Sequence, residues 1–528
     1  MAAHAVLGLI HGGVAYVPWG DDEFINWLRA AKQLYLARWD FLPHIQFSLP
    51  SYPQAWPTLL ALPSIMLGRF SEDMASVLPF ALHVAFLGVL FDFAGALSNR
   101  RTAWVLVLFG LTVEITWKLL PLNLMSEQPQ IYAVAAVFVL CLWAELGKPC
   151  QRRSLLLAAG MVTAHAYLIK SAALLLVPAL MVVVGWPLVV GWRQWRCRMG
   201  TVATEALLAL GPFTVVWFAW SRLAGDGDHC ATSLDNYLSA SGVRHLLADT
   251  SALSAYVRAS LEYYASYKVP LSVATGLGLA FGLAATVTRK VTVATLVYAL
   301  LYHVVLFWSY QTCPDSFNFF LSSLQRYILV PLRVLHVLGL ILLFHALLPR
   351  VPFPSRRFGT VLVAAAALLA AGQVWFLHRG LVEIRQRING GEFAAIGQAI
   401  KASEEPLRRV VASWNGRPRV LQMARFAYAY PLYPTYHYLM NADGRTLPFA
   451  YCLATGEGEV VRLDALVPND CVGTTLEQEL AATDIVWPLS LSPPMIDKLR
   501  PWLDQGCPMD LSGQLLVRRG DAFTCGPP

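Results

Sequence analysis

The chain has 528 residues, of which 56% are hydrophobic and 14% are charged, and its mean hydropathy is +0.51. So much apolar surface excludes one soluble core and predicts a protein whose natural solvent is lipid. The formal net charge of +7 comes from Lys and Arg in short segments between apolar stretches. This distribution excludes the basic surface of a nucleic-acid-binding protein.

Long apolar stretches recur along the chain. A helix rises about 1.5 Å per residue, so about 18 or more apolar residues can cross a hydrocarbon core of about 30 Å. About eleven stretches meet or approach this length: residues 2–18, 76–97, 102–120, 129–146, 154–169, 171–191, 201–222, 270–288, 291–310, 327–349 and 360–377. The first lacks a basic leader and a cleavage site, so we expect a short span, or a start codon placed too far downstream, rather than a cleaved signal.

Alternate connections between these stretches are basic, and short basic loops remain in the cytoplasm. Their residues are Arg100, Arg101, Lys148, Arg152, Arg153, Arg193, Arg196, Arg198, Arg289, Lys290, Arg350, Arg356 and Arg357. The outer face then receives the loops 19–75, 121–128, 223–269 and 311–326. We predict a mainly α, polytopic helical protein of the inner (plasma) membrane, with a transmembrane domain at 1–377 and an extracytoplasmic domain at 378–528.

The tail after residue 378 carries charged and polar residues throughout, which predicts a small soluble α/β domain. An amphipathic helical stretch at 382–409 is followed by strand-like runs at 409–414, 419–423, 484–491 and 513–519. An aromatic cluster at 425–440 has two interpretations. It could stack against sugar rings, or it could form the core of the domain or its seam with the membrane region.

The nine cysteines divide between the two sides of the membrane. Three lie in spans or cytoplasmic loops, and the six on the outer face are even in number, as disulfides require. We expect pairs such as Cys230 with Cys313, Cys452 with Cys471 and Cys507 with Cys525. Because there is no CxxC pair, a zinc site is not predicted.

The sharpest motif is GDDEFINW at residues 20–27, just outside the first predicted span. Asp21, Asp22 and Glu23 precede a segment with apolar residues at helical spacing, which predicts an amphipathic helix on the outer membrane surface. Acids at a helix start can simply cap free N–H groups and complement the helix dipole. Three consecutive acids repel one another, however, and an interfacial setting raises a carboxylate's proton affinity, which suits a general base.

Further candidates lie on the same outer face. Tyr52 belongs to SYPQAWP at 51–57, a Pro- and aromatic-rich return to the bilayer. Glu127 in the second outer loop is either a solvated turn acid or part of a site. Lys170 interrupts an apolar run, so it either snorkels to the interface or meets an anionic group. Arg326, followed by Tyr327, opens a late span on the outer side. The positive-inside bias and the helix dipole both disfavour an Arg there, so a lipid phosphate or a carboxylate would compensate its charge.

Taken in order, these features resemble the GT-C superfamily of membrane glycosyltransferases, and the PMT/ArnT-like bacterial branch looks most similar. The shared features are the acid motif with its amphipathic helix, the Tyr-Pro return loop, the acid of the second outer loop, the Lys ending the fifth span, the Arg-Tyr pair and the outer C-terminal domain. The resemblance covers most of the chain in architecture, but its motifs are short, so it indicates the superfamily better than the member.

The resemblance implies catalytic roles for three acids. The first-loop base of the family maps to Asp22, with Asp21 as the competing choice, and the second-loop acid maps to Glu127, where many relatives carry Asp. We assign substrate binding to Glu23, Tyr52, Lys170, Arg326 and Tyr327. No metal ligands are assigned and no cofactor is certain, and a divalent metal requirement stays open.

The implied reaction transfers a sugar, with inversion, from a polyprenyl-phosphate donor to a glycan, lipid or protein acceptor on the outer face. A carboxylate would remove the acceptor hydroxyl proton, while Arg326 and Lys170 would stabilise the departing lipid phosphate. The chain has no nucleotide-binding glycine loop, in agreement with a lipid-linked donor.

Other classes of membrane protein fit part of this pattern. A transporter or lipid flippase would have many spans with buried ionisable groups, but it usually shows internal repeats, and we find none. An O-antigen-type polymerase or ligase would concentrate Arg and His in one large outer loop. In a non-enzymatic assembly protein or scaffold, the acids would be helix caps alone.

Overall fold

The computed structural model describes residues 27–37, 55–75, 77–97, 126–190, 195–223, 250–266, 269–312, 317–347, 392–425, 447–456, 458–460, 470–508, 511 and 514–525. The chain forms two compact units. Unit 1 contains residues Met1–Leu9, Leu49–Trp56 and Val77–Arg379, and unit 2 contains Ile10–Ser48, Pro57–Ser76 and Gly380–Pro528. The predicted boundary between domains 1–377 and 378–528 stays a prediction.

In chain order the helices are α1 (Arg29–Ala37), α2 (Ala55–Leu67), α3 (Glu72–Ala75), α4 (Val77–Leu97), α5 (Glu127–Leu146), α6 (Arg152–Ile169), α7 (Leu176–Val190), α8 (Trp195–Leu223), α9 (Thr250–Ser266), α10 (Val269–Ala284), α11 (Thr286–Thr312), α12 (Phe317–Leu347), α13 (Glu392–Ser413), α14 (Leu476–Ala482) and α15 (Pro493–Leu499). A 3₁₀ helix, Ser171–Leu175, leads directly into α7.

Five helical segments among the described residues are long and apolar enough to cross a membrane. They are Glu127–Leu146, Ser171–Val190, Met199–Arg222, Thr286–Ser309 and Tyr327–Leu347. Every predicted span that falls on described residues is helical, which confirms the helical, multi-pass membrane fold. The predicted spans 2–18, 102–120 and 360–377 lie outside the described residues.

Helix α5 lies at the centre of unit 1, since nearly all of its side chains are buried, and it packs against α4, α6, α11 and α12. Glycines allow other helices of this unit to approach closely. A Cβ added at Gly278 in α10 would collide with the backbone carbonyl of Gly339 in α12. Such small-residue contacts replace the hydrophobic effect as the packing force between helices in lipid.

Two boundaries differ from the sequence prediction. The predicted span 270–288 is too long, because α10 ends at Ala284 and α11 begins at Thr286. The prediction of a strand-like run at 409–414 is wrong, because residues up to Ser413 belong to α13. Val410 and Val411 are buried and continue the apolar stripe of that helix, so tertiary packing overrides their β-branched preference.

Unit 2 contains a six-stranded sheet built from β1 (Arg419–Ala424), β2 (Ala450–Thr455), β3 (Glu459–Val460), β4 (Ile485–Ser490), β5 (Leu516–Arg519) and β6 (Ala522–Cys525), in the order β3-β2-β1-β4-β5-β6. Strand β1 pairs in parallel with both β2 and β4, and the remaining neighbours are antiparallel. The chain crosses from β2 to β4 through α14, as parallel strands require. The predicted α/β domain and its strands at 419–423, 484–491 and 513–519 are confirmed.

Two disulfides belong to this unit. Cys452 pairs with Cys471, and Cys507 pairs with Cys525, as the sequence predicted. The first bond joins β2 to the segment before α14, and the second joins β6 to the segment after α15. The predicted pair of Cys230 with Cys313 lies outside the described residues.

Candidate active site

Two residues singled out in the sequence come together where helices α5 and α6 meet. Glu127 is the first residue of α5. Helix α6 ends at Ile169, and Lys170 follows in an extended conformation with φ −156° and ψ 129° before the 3₁₀ helix begins. Lys170, the single charged residue in an apolar run, therefore lies where the helix ends. The break, and the antiparallel packing of the two helices, direct the lysine towards the start of α5.

The contact between these residues is a buried ion pair. Lys170 Nζ lies 2.8 Å from Glu127 Oε1, and both side chains are 8% exposed. The ammonium also lies over the ring of Tyr327 in α12, 4.6 Å from its centroid. An ammonium carries three N–H donors and is attracted to the face of an aromatic ring. The structure thus joins three predicted site residues from α5, α12 and the end of α6.

Polar side chains continue from this ion pair into the bundle. Tyr132, in α5, donates to Gln128 Oε1 at 3.2 Å, and its ring centroid lies 5.3 Å from that of His83 in α4. His83 and His336 both lie within electrostatic range of Arg333, whose side chain is fully buried in α12. Sequence reasoning missed these groups, although an Arg and a His inside the predicted span 327–349 were the available signal.

A second polar group ties helix α9 to helix α11. His303 Nδ1 lies 3.0 Å from the hydroxyl of Tyr256, and Nε2 lies 2.8 Å from the hydroxyl of Tyr264. The neighbouring Tyr302 is buried within electrostatic range of Glu127. The phenol of Tyr302 therefore lies near the ion pair, where it could donate to or accept from an oxygen of a polar ligand.

The opposite ends of the same helices carry another, partly buried ion cluster. Arg152 donates from Nε and Nη2 to the two carboxylate oxygens of Glu205, at 2.6 and 2.8 Å. Glu145 contacts Arg152 and also Lys290, whose Nζ lies 2.6 Å from Glu145 Oε2. This cluster connects α5, α6, α8 and α11. Its residues are internally paired, so we interpret it as structural.

The remaining predicted site residues divide into two groups. Asp21, Asp22, Glu23 and Tyr52 lie outside the described residues. Arg326 lies in α12, and its side chain is outside the described part of the structure. The helix begins at Phe317, more than two turns before Arg326. The argument that the helix dipole opposes an Arg at that position is therefore wrong, because the dipole effect is confined to the first turn.

One cluster of metal-ligand types occurs among the described residues: Cys452, Cys471 and Glu479, in unit 2. The two sulfurs form a disulfide and offer no thiolate to a metal. Glu479 accepts from the backbone N–H of Gly473 and lies 3.6 Å from Arg419, so it supports the disulfide-linked segment. This cluster does not fit a metal site.

No protein-family model matches the sequence, and no curated protein is a significant match. Among solved structures, ArnT from Cupriavidus metallidurans bound to undecaprenyl phosphate has a similar fold, with a TM-score of 0.51 and 13% identity over 99% of this chain and 96% of that chain. The apo state of ArnT gives a TM-score of 0.48 at the same identity and coverage. An oligosaccharyltransferase from Archaeoglobus fulgidus, tethered to an acceptor peptide, gives 0.45 at 11% identity, over 84% of this chain and 62% of that chain. The likeness to undecaprenyl-phosphate-bound ArnT confirms the predicted ArnT-like membrane fold.

Proposed function

We propose that this chain is a glycosyltransferase that moves a sugar from a polyprenyl-phosphate donor to an acceptor on the outer face of the membrane. The observation that carries the proposal is the buried lysine at the broken end of α6. A charged lysine at membrane depth is costly and marks a functional site by default. It occurs here in a fold shared with a protein whose solved structure holds undecaprenyl phosphate.

The geometry around Lys170 supports a role on the leaving-group side of the reaction. Glu127 pairs with the ammonium at 2.8 Å and fixes its direction, and Tyr327 supports it from the ring face. A lysine ammonium can hold a phosphate oxygen and stabilise the charge that develops on it as the sugar departs. We therefore assign Glu127 to orienting Lys170 rather than to removing a proton. Arg326 would add a bidentate contact to the same phosphate.

The base in this proposal is Asp22, with Asp21 as the competing choice and Glu23 shaping the local charge. The carboxylate takes the proton of an acceptor hydroxyl while that oxygen bonds to the anomeric carbon. The bond from this carbon to the phosphate oxygen breaks, and the electron pair leaves with the lipid phosphate. Attack opposite the leaving group inverts the anomeric centre. Tyr52 would contact the donor from the return loop.

The disulfides support an assignment of the side of the membrane on which the reaction takes place. Cys452–Cys471 and Cys507–Cys525 both lie in unit 2, and such bonds persist in oxidising surroundings. This supports an extracytoplasmic C-terminal domain, which the predicted distribution of basic loops also favours. The donor and acceptor would accordingly meet outside the cytoplasm.

Binding of undecaprenyl phosphate to the purified full chain in nanodiscs tests the proposal. A hydrogen bond to a charged group contributes about 1.5–3 kcal/mol, so Lys170→Met should weaken binding by about ten- to a hundredfold. Lys148→Met is the matched control, because Lys148 is an exposed lysine just beyond the other end of α5. Equal affinities for the two variants would contradict the proposed phosphate site.

A further inference from the structure

The first turn of α5 carries buried polar side chains whose hydrogen-bonding capacity is not used within the protein. Ser126 and Gln130 are 0% exposed. In the part of the chain that the structure describes, the hydroxyl of Ser126 and both polar atoms of the Gln130 amide have no hydrogen-bond partner. Burying a polar group without a partner is costly, and native structures satisfy the great majority of such groups. These atoms therefore point to a ligand that supplies hydrogen bonds.

Neither side chain stabilises the helix itself. Serine is a preferred N-cap residue, yet the side chain of Ser126 makes no capping hydrogen bond to α5. The backbone N–H of Gln130 donates to the carbonyl oxygen of Ser126 at 3.1 Å, so the first turn is joined through the main chain. The serine hydroxyl and the glutamine amide are thus not needed to form the helix.

Helical spacing places these groups beside the buried ion pair. Gln130 follows Ser126 by four residues and Glu127 by three, so the three side chains share one side of α5. Side chains on a helix lean towards its N-terminus, which directs the amide of Gln130 back towards the turn that carries Glu127. Lys170 Nζ lies at that turn, 2.8 Å from Glu127 Oε1. The unpartnered atoms therefore lie on the same side of α5 as the proposed phosphate site.

The chemistry of these groups fits the hydroxyls of a sugar. An amide has donors on Nε2 and an acceptor oxygen, and a serine hydroxyl both donates and accepts. Neutral groups of this kind suit sugar hydroxyls, whereas a second phosphate would call for Lys or Arg. In a polyprenyl-phosphate sugar the anomeric carbon is bonded to a phosphate oxygen. The ring therefore lies directly beside the phosphate that Lys170 would hold.

We propose that Ser126 and Gln130 form the donor-sugar subsite, in which the Gln130 amide binds hydroxyls of the ring that is bonded to the phosphate at Lys170. This inference rests on the proposed function and adds a residue that discriminates among donor sugars. A sugar that lacks or misplaces the hydroxyl would leave buried polar atoms unpaired, which is why such sites discriminate strongly. Lys170 contacts the phosphate alone, so it does not distinguish one sugar from another.

Gln128 provides a matched control in the same helical turn. It is the same residue type and is also buried, but its Oε1 accepts from the hydroxyl of Tyr132 at 3.2 Å. The ring of Tyr132 lies 5.3 Å from that of His83 in α4, so this pair is on the side of α5 that meets α4. Residues two apart on a helix do not face each other. Gln128→Met therefore removes an amide without changing the proposed subsite.

The test measures the affinity of full chains in nanodiscs for undecaprenyl phosphate and for undecaprenyl phosphate that carries glucose, galactose, mannose or arabinose. A hydrogen bond between neutral groups contributes about two- to tenfold in affinity. We expect wild type to bind one of the sugar-bearing lipids more tightly than undecaprenyl phosphate, by about tenfold for two such bonds. Gln130→Met should abolish this preference and leave the affinity for undecaprenyl phosphate unchanged. Gln128→Met should keep both.

A second measurement shows whether the Gln130 amide supports the fold. Gln130→Met replaces unpartnered polar atoms by an apolar side chain of similar length. In an SDS titration from mild-detergent micelles, the unfolding midpoint of Gln130→Met should therefore equal or exceed that of wild type. Gln128→Met loses its hydrogen bond to Tyr132, so its midpoint should be lower.

Three results would overturn the inference. The first is that no sugar-bearing lipid binds wild type more tightly than undecaprenyl phosphate. The second is an unchanged sugar preference in Gln130→Met, which would make buried water the partner of the amide. The third is an unfolding midpoint of Gln130→Met below that of wild type, which would make the amide a structural group. Equal binding of undecaprenyl phosphate to wild type and Lys170→Met would instead contradict the proposed phosphate site, so the two failures are distinguishable.

Discussion

The Glu127–Lys170 ion pair should show strong energetic coupling, because both side chains are almost excluded from solvent. Removing one partner of such a pair leaves the other charge buried and costs about 3–5 kcal/mol. Lys170→Met should reach this range. Glu127→Gln should cost less, because the ring of Tyr327, 4.6 Å from Nζ, still supports the ammonium and such contacts contribute up to about 2 kcal/mol when desolvated.

A double-mutant cycle measures this coupling. Glu127→Gln/Lys170→Met removes both charges, so its loss of stability should fall below the sum of the single losses by about 2 kcal/mol or more. The assay is unfolding of the full chain by SDS titration from mild-detergent micelles, with Lys148→Met as the exposed control. Single losses that add to within about 0.5 kcal/mol would contradict a buried, coupled pair. So would a Lys170→Met variant that is no more destabilised than Lys148→Met.

Three further changes follow from the packing and charge of the chain. Gly278→Ala should destabilise the bundle, because its Cβ would collide with the carbonyl of Gly339. Gly276→Ala is the control, because a Cβ at Gly276 meets open space. Equal SDS-unfolding midpoints for the two alanine variants would exclude the close contact. Arg152→Met should lower the free energy of unfolding by about 3–5 kcal/mol in the same titration, since it leaves buried carboxylates behind. A loss below about 1 kcal/mol would show that the cluster is solvated. The pKa of Lys32 is lower in the folded chain than in the unfolded chain, so the charged form of Lys32 destabilises the fold. This destabilisation should decrease as the pH rises towards the ordinary pKa of 10.5. Melting temperatures of wild type and Lys32→Met should then converge with rising pH, and a constant difference would contradict the lowered pKa.

Much of the fold could be predicted from the sequence, because lipid imposes simple rules. Apolar length alone located α5, α7, α8, α11 and α12, since a span must satisfy its backbone internally. In unit 2, by contrast, local residue preferences do not always predict the secondary structure. Val410 and Val411 have strand preference, yet they complete the buried stripe of α13. No local pattern distinguishes helix from strand at these residues, because the strands of the sheet against which the helix packs come later in the sequence.

The candidate site shows the same division. A single lysine in an apolar run was a clear signal, and so was an acid at the start of a span. Their pairing depends on the break after Ile169 and on the antiparallel packing of α5 and α6, which no motif encodes. Arg333 and His336 carried the same kind of signal within a span.

In the proposed reaction, an acid of the first outer loop drives sugar transfer from a polyprenyl-phosphate donor. Lipid-linked sugars extracted from cells with and without the gene test it most directly, with the deletion complemented by the wild type, by Asp22→Asn or by Asp21→Asn. Asparagine still caps a helix but removes the base. We expect that the deletion accumulates one polyprenyl-phosphate sugar, that the wild type clears it and that Asp22→Asn does not. Unchanged lipid-linked sugars in the deletion, or full clearance by Asp22→Asn, would contradict it.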